Sequence, residues 1–327
     1  MSLEVKKKVF FHLGFPKTGM TVLRHRLFAK HSQINYVSGP TDMDNGFMMV
    51  PNLKGSIWRM NDKEFNNSYK VLLSKINTIS SGLDNKKCNV FANSNFLVRF
   101  FYVDTEYDVF KGLSRLISLF DKANMDLNVF LTIRNHSDII PSFYLQDGAN
   151  KTLRKLSINS NELIKYLKTG KNNNTEISKM IFDNFKYDRF YNFLSSHLKA
   201  DKIKFFLYED FKNNKEKFYF DLSNYLQIDL SETRKLLYGK KDNVTKDKMK
   251  YEKLSYLIYN NLRQPKYLFN SFARKLNTLV KLFSEETNFQ AKKRIKKSSQ
   301  LIKNYYREDC LEFEKKHHLG LDRYDYF

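Results

Sequence analysis

Cysteine, acidic charge and long apolar runs are all scarce in this chain of 327 residues. The 2 cysteines, Cys88 and Cys310, stand far apart without metal-ligand or redox spacing, which excludes a disulfide framework and suits a reducing compartment. No apolar run approaches the roughly 20 residues that cross a bilayer. The apolar run after residues 6–8 is short and leads to no small-residue cleavage site, so it does not predict a signal peptide. We therefore expect a cytoplasmic protein.

Acidic residues number only 35 against 57 lysines and arginines, which gives a formal net charge of +22. Three explanations compete: nucleotide bias in the coding DNA, an anionic ligand or polymer, and an anionic membrane surface. The densest basic run covers residues 292–297, where contact with acidic lipid headgroups or an anionic glycan competes with a solvated helix face. Any membrane contact should accordingly be peripheral, at the inner membrane face.

Hydrophobic residues make up 42% of the chain and aromatic residues 15%, which is enough for a real core. We expect a single domain over residues 1–327, with a core over about 5–250 and a basic helical extension over about 251–327. Apolar spacing predicts helices over 69–83, 109–120, 162–167 and 185–198 and strands over 88–91, 128–133 and 204–208. The alternation predicts an α/β protein with a central parallel sheet in a three-layer α/β/α arrangement. Glu209 and Asp210 are expected to cap the helix after the last strand.

Residues 9–28, VFFHLGFPKTGMTVLRHRLF, combine a short apolar run, a glycine-punctuated loop and helical spacing. A strand, a loop and a helix in this order present backbone N–H groups to an anion, which makes the stretch a phosphate-binding candidate. From Gly14 to Thr21 it keeps both glycines and the threonine of the loop G-x-x-x-x-G-K-[ST], but Met20 stands at the lysine position. An ordinary strand-to-helix turn is the competing interpretation.

A second informative segment, RNHSDIIPSFY, follows the strand predicted over 128–133. Arg134 leaves the carboxyl end of that strand, and Ser142 lies about two turns into the next helix. An arginine fork and a hydroxyl suit a terminal phosphate. Because ligand sites in parallel sheets lie outside the carboxyl ends of the strands, the loops after Phe11, Phe91 and Ile133 should converge on one pocket.

The first loop reads P-K-T-G-x-T and resembles the 5′-phosphosulfate loop of sulfotransferases that use 3′-phosphoadenosine 5′-phosphosulfate (PAPS), with Met20 where the family usually has threonine. The second segment is similar to the family pattern R-N-P-x-D-x-x-x-S-x-Y, with His136 in place of proline. The chain thus resembles the bacterial carbohydrate sulfotransferases, which implies a P-loop-type fold. The loss of the threonine hydroxyl leaves the backbone N–H in place, so we expect weakened rather than lost binding.

The resemblance implies a role for each motif residue. Arg134 and Ser142 would bind the 3′-phosphate, and Lys17 would stabilise the charge that develops on the leaving 5′-phosphate. The chemistry would be in-line transfer of the sulfo group to a hydroxyl, giving 3′,5′-adenosine bisphosphate, without a metal and without a nucleic-acid partner. The residues that would hold the 5′-phosphate are Pro16, Lys17, Thr18, Gly19, Met20 and Thr21.

The sequence departs from the family pattern at the position of the general base. The family segment S-S-E-N-L carries the glutamate that takes the acceptor's proton, whereas Asn95 stands at that position here, and an amide accepts no proton at neutral pH. His12, just before the loop, is our replacement candidate, and a hydrogen-bonded structural histidine is the alternative. Further candidates for the base are Asp42, Asp44, Asp104 and Glu106. Asn95 and Trp58 are candidates for the acceptor side. Basic and aromatic residues favour a saccharide or a lipid-linked glycan as acceptor, with a small alcohol or phenol still open.

Two other classes of function stay open. A P-loop kinase for a small molecule would turn over ATP with magnesium, but the displaced lysine of the loop argues against it. A catalytically weak protein that binds nucleotide or glycan is the other alternative, because Met20 and Asn95 both depart from the sulfotransferase pattern.

Overall fold

A five-stranded sheet, parallel throughout, forms the centre of the part of the chain that the structure describes. The structure is a computed structural model that describes residues 6–37, 57, 60–93, 109–144, 159–238 and 288–327. The strand order is β2-β3-β1-β4-β5, so β1 lies at the centre between β3 and β4. The prediction of a parallel sheet is confirmed. The strands are β1 (Lys7–Gly14), β2 (Ile34–Tyr36), β3 (Cys88–Asn93), β4 (Met125–Ile133) and β5 (Ile203–Leu207).

Helices follow the strands and cover both faces of the sheet. In the first half of the chain they are α1 (Met20–Val22), which continues as a π-helical segment over Leu23–Phe28, α2 (Asp62–Ser81), α3 (Val109–Lys122) and α4 (His136–Tyr144). The next group is α5 (Ser160–Thr169), α6 (Thr175–Asp183), α7 (Tyr187–Ser195), α8 (Tyr208–Asn213), α9 (Lys215–Leu226) and α10 (Leu230–Leu237). The C-terminal pair is α11 (Asn288–Lys297) and α12 (Ser299–His317).

The side chains of β1 alternate between two hydrophobic clusters, one on each face of the sheet. Val9, Phe11 and Leu13 belong to the larger cluster, which also includes residues of α2 to α7, α11 and α12. Phe10 belongs to the smaller cluster, where it packs with residues of the α1 region, α9 and α10. These two clusters make the described chain a three-layer α/β/α structure, as the alternating sequence pattern predicted.

The described part of the C-terminal extension is built into the larger cluster. Ile302, Tyr306, Cys310 and Phe313 lie on one side of α12 at helical spacing, and all four are buried. Both cysteines are free thiols. Among the helices that the structure describes, none combines the length and the apolar character needed to cross a bilayer.

Helix α2 begins earlier than the sequence pattern predicted. Its predicted start was residue 69, whereas the helix begins at Asp62. The Asn61 side chain accepts a hydrogen bond from the Glu64 N–H, and the Glu64 carboxylate accepts one from the Asn61 N–H. This capping box satisfies backbone donors that would otherwise lack partners, and so it extends the helix beyond its apolar stripe.

Candidate functional site

The loop from Phe15 to Gly19 connects β1 to α1 through two left-handed backbone positions. Gly19 has φ of 83°, and Lys17 has φ of 65°, a region that a non-glycine residue rarely occupies. Thr18 donates a side-chain hydrogen bond of 2.7 Å to the Phe15 carbonyl oxygen, which closes the turn. Because α1 starts at Met20, the first N–H groups of that helix lack acceptors within the helix. The loop therefore has the backbone arrangement of an anion cradle.

Phe15 fixes the base of the loop. Its ring is fully buried and meets Tyr187 and Phe190 edge-on, each at a centroid distance of 5.1 Å. Pro16 and Thr18 are also buried, whereas the Lys17 side chain is exposed. The loop thus presents the lysine outward from a rigid aromatic base.

Met20 turns its side chain inward, beneath the loop. A Cβ atom added at Gly14 would lie 1.5 Å from the Met20 Sδ, so the thioether occupies the space that a side chain at position 14 would need. Thr21, next along the helix, is half-buried. Met20 therefore contributes packing, and its backbone N–H is what it can offer to a ligand.

Arg134 joins the second predicted segment to the loop. Its Nη1 donates a hydrogen bond of 3.1 Å to the Lys17 carbonyl oxygen, across 117 residues of sequence. Its guanidinium carbon lies 4.8 Å from the centre of the Tyr208 ring, and a Cβ at Gly19 would lie 3.3 Å from that same ring. Arg134 and the loop therefore form one packed group. Tyr208 escaped the sequence prediction, although its position directly after β5 was the available signal.

Ser142 lies on the helix that starts beside Arg134. Asp138 Oδ2 is 3.6 Å from Arg134 Nη2, and Ser142 follows Asp138 by four residues, one turn further along the same face of α4. Ser142 is half-buried. The order along this face is arginine, carboxylate and hydroxyl, so Asp138 separates the two side chains that were expected to share a phosphate.

His12 lies in the core, between β4 and the π-helical segment. Its ring stacks on Phe130 at 4.5 Å, its Nε2 lies 3.1 Å from Thr132 Oγ1, and the Nδ1 atom has no hydrogen-bond partner among the described residues. Burial, together with the positive charge of Arg24, lowers the pKa of His12 to about 3. These surroundings match the structural alternative better than the role of general base, which stays a prediction.

Glu209 and Asp210 do not cap the helix that follows β5. Helix α8 has no side-chain cap, and both carboxylates instead bind the C-terminal residues, Tyr326 donating to Glu209 at 2.9 Å and Tyr324 donating to Asp210. Glu209 also accepts from the Asn135 N–H at 2.9 Å. Desolvation raises the pKa of Glu209 despite these donors. Both residues lie in the first turn of α8, as predicted, but neither makes a side-chain cap, because tyrosines more than 110 residues away donate to their carboxylates.

His136, which replaces the family's proline, joins α4 to α12. Its Nε2–H donates to the Phe185 carbonyl oxygen at 2.9 Å, which leaves Nδ1 as the acceptor for the Cys310 thiol at 3.6 Å. With Asp309, these side chains form a group whose ligand atoms lie within 4.8 Å of one another, the spacing of a metal site. Burial lowers the pKa of His136 to about 3 and raises that of Cys310, which favours a neutral S–H···N contact. The expectation of a metal-free protein stays a prediction.

Several sequence candidates lie outside the described residues. These are Trp58, Asn95 and the acidic alternatives for the base at positions 42, 44, 104 and 106. Strand β3 is described to its end at Asn93, two residues before Asn95.

Comparison with known proteins gives matches among solved structures only. A sulfotransferase from Alicyclobacillus acidocaldarius is 14% identical, with a TM-score of 0.40 over 73% of this chain and 88% of its own. A sulfotransferase domain from the curacin biosynthetic pathway is 13% identical, with a TM-score of 0.38 over 74% of this chain and 81% of its own. The sulfotransferase domain of the Synechococcus PCC 7002 olefin synthase is 12% identical, with a TM-score of 0.38 and coverages of 76% and 84%. No family model and no curated protein matches the chain.

Proposed function

We propose that this protein is a sulfotransferase that uses PAPS and acts on a hydroxyl group of a saccharide or glycolipid acceptor. The observation that carries the proposal is the hydrogen bond between Arg134 and the Lys17 carbonyl. It brings together the two segments whose motifs resemble the ends of a site for a doubly phosphorylated adenosine. Had these segments lain apart, their motifs could not have served one ligand.

The residues at this edge of the sheet fit such a nucleotide. The loop offers N–H groups of the first turn of α1 and a left-handed Gly19, so the backbone can approach a phosphate closely. Arg134 is suited to the 3′-phosphate, and Ser142 lies two turns into the adjoining helix. When bound, PAPS supplies an activated sulfo group. The exposed Lys17 side chain would stabilise negative charge on the 5′-phosphate oxygen from which that group leaves.

The proposals for the acceptor and for a membrane contact are based on the composition of the chain and on helix α11. In α11, Ile295 is buried against the protein while Lys293, Lys296 and Lys297 are exposed. Among the α11 side chains that the structure describes, residues 293–297, the apolar one packs on the domain and the exposed ones are basic. This basic face suits an anionic glycan or the headgroups of an anionic membrane better than insertion into lipid.

Substitution of the loop lysine tests the proposal. We expect Lys17→Ala to lower the rate of radiolabelled sulfo transfer from PAPS by about 100-fold or more, because the loss of one preorganised charge-stabilising donor has effects of this size. The thermal unfolding temperature should stay unchanged, because the side chain is exposed. Lys30→Ala, at an exposed position just after the π-helical segment, is the matched control and should retain full activity.

Ligand preference separates this function from a kinase. Thermal-shift measurements should give stabilisation by 3′,5′-adenosine bisphosphate, also in the presence of EDTA, and little by ATP with magnesium. Stabilisation by ATP with magnesium but not by 3′,5′-adenosine bisphosphate would overturn the assignment. Full transfer activity in Lys17→Ala would also overturn it.

A nucleotide-binding protein without transfer activity is the second candidate. The burial of His12 favours it, since an imidazole with a pKa of about 3 is a poor proton acceptor at neutral pH. Binding of 3′,5′-adenosine bisphosphate without transfer to any hydroxyl acceptor in a saccharide and glycolipid screen would select this candidate.

A further inference from the structure

The backbone at Lys17 needs support from its surroundings. A left-handed conformation is unfavourable for a non-glycine residue such as Lys17, so it persists where neighbouring groups hold it. The Thr18 hydroxyl ties the turn to Phe15 from inside the domain. From outside, Arg134 Nη1 donates to the carbonyl of Lys17, the strained residue itself.

The Arg134 guanidinium is fixed in turn by groups of other elements. The Tyr208 ring lies under it, and the same ring packs beside Gly19, the second left-handed position. The Tyr187 hydroxyl accepts a hydrogen bond from the Arg134 backbone N–H and donates one to the Arg134 carbonyl oxygen. These bonds hold the backbone just after β4 as well. The side chain therefore reaches the loop from an anchored backbone and is held there by the Lys17 carbonyl and the Tyr208 ring.

We propose that Arg134 is a positioning residue for the phosphate loop as well as a contact for the 3′-phosphate. The inference rests on the proposed function for the identity of the ligand, and on the Lys17 contact for the positioning role. Its consequence is a coupling between the two ends of the nucleotide. A group that engages Arg134 also acts on the loop that holds the 5′-phosphate, and the coupling is reciprocal.

A ligand without a 3′-phosphate separates the two roles. Adenosine 5′-monophosphate offers nothing for direct recognition of a 3′-phosphate, so a residue that serves only this recognition should not alter its affinity. We expect Arg134→Ala to weaken the binding of adenosine 5′-monophosphate by about tenfold, near the lower range for a hydrogen bond from a charged donor. Calorimetric titration or NMR titration gives the dissociation constants.

Ser142→Ala is the matched control, because this hydroxyl is assigned to the 3′-phosphate and lies two turns along α4 from the loop. It should weaken the binding of 3′,5′-adenosine bisphosphate and leave that of adenosine 5′-monophosphate within about twofold. Arg134→Ala should weaken the binding of both ligands. Equal affinity of Arg134→Ala and the unaltered protein for adenosine 5′-monophosphate would overturn the positioning role.

A measurement without nucleotide keeps this inference distinct from the proposed function. Hydrogen exchange of the Thr18, Gly19 and Met20 amides should be at least about fivefold faster in Arg134→Ala than in the unaltered protein, whereas β1 amides should exchange equally in both. Unchanged exchange at these three amides would overturn the inference. Failure of 3′,5′-adenosine bisphosphate to bind the unaltered protein would instead overturn the proposed function and leave the exchange result standing.

Discussion

The carboxyl ends of β1 and β5 lie at the same edge of the sheet but carry opposite kinds of polar group. After β1, the loop presents backbone N–H groups and the exposed Lys17 side chain. After β5 come Glu209 and Asp210, both buried, whose carboxylates accept from Tyr326 and Tyr324. The first end offers backbone N–H groups and a positive charge, whereas the second holds two carboxylates together with their donors.

This difference shows that a place at the end of a strand does not by itself make a residue part of a site. The carboxylates after β5 are satisfied from within the chain, so they hold the C-terminal residues against the sheet. The loop after β1 has its packing below, through Phe15, and its polar groups above. We therefore expect substitution of the exposed Lys17 after β1 to change binding, and loss of the donors to the two buried carboxylates after β5 to change stability.

Gly14→Ala should give the largest loss of stability. It tests how the loop depends on the Met20 side chain that packs beneath it. The added methyl group would overlap the Met20 thioether, which is buried and would have to shift within the packed core. We expect the free energy of unfolding to fall by about 3 kcal/mol, as in an overpacked core. Denaturant unfolding measures this loss, and nucleotide binding should weaken with it.

The double variant Gly14→Ala with Met20→Ala is the matched control for this overlap. Its loss of stability should be smaller than the sum of the two single losses by about 1 kcal/mol or more, because the new methyl group fills part of the vacated space. Strictly additive losses would show that the two side chains do not compete for one volume.

The pH dependence of stability should reveal the ionisation of a buried carboxylate away from both strand ends, that of Asp309 on α12. Burial, and the negative charge of Asp188, raise the pKa of Asp309 to about 7 in the folded protein, above the value of 3.8 for an unperturbed aspartate. The folded state therefore holds this proton more tightly, so its contribution to stability is full below pH 4 and is lost as the pH rises to 7.

Asp309→Asn should remove this loss, because the amide keeps an acceptor for the Tyr187 N–H but does not ionise. We expect the variant to gain roughly 3–4 kcal/mol relative to the unaltered protein between pH 4 and pH 8, as measured by urea unfolding. A stability difference that is constant over this range would contradict the raised pKa.

Tyr326→Phe should give the smallest change in the free energy of unfolding. It tests most directly whether the ends of β1 and β5 serve different purposes. Loss of its hydroxyl leaves one buried oxygen of Glu209 without a donor, which should lower the free energy of unfolding by about 1 kcal/mol. Affinity for 3′,5′-adenosine bisphosphate should not change. Tyr238→Phe, at an exposed tyrosine, is the control and should alter neither quantity. If Tyr326→Phe weakened nucleotide binding as strongly as Arg134→Ala, the two strand ends would not be functionally separate.

The fold could be predicted from local patterns because its strands are buried on both faces and read as apolar runs. The alternation of these runs with amphipathic segments was sufficient for the parallel sheet and for the placement of Arg134 at a strand end. Strand β2 was missed because its three residues form a short edge strand. Helix α6 was missed because the Asn-rich sequence before it predicts a loop, and its apolar stripe is brief.

The site was only partly predictable, because its essential contacts join residues far apart in sequence. The glycine spacing indicated the loop, but nothing local indicated that the Met20 side chain would turn toward Gly14. Nor did the acidic pair after β5 indicate partners at Tyr324 and Tyr326, since helix capping explains such residues equally well from sequence. Contacts of this kind depend on the tertiary structure and leave no periodic signal.

The tyrosine contacts to Glu209 and Asp210 also impose an order on assembly. Residues 324 and 326 are synthesised more than 110 residues after the carboxylates that they engage. Until residues 324 and 326 emerge, Glu209 and Asp210 lack the hydroxyl donors that the two tyrosines supply. The segment after β5 should therefore reach its final stability only after residues 324 and 326 have docked on it, because such non-local contacts form late.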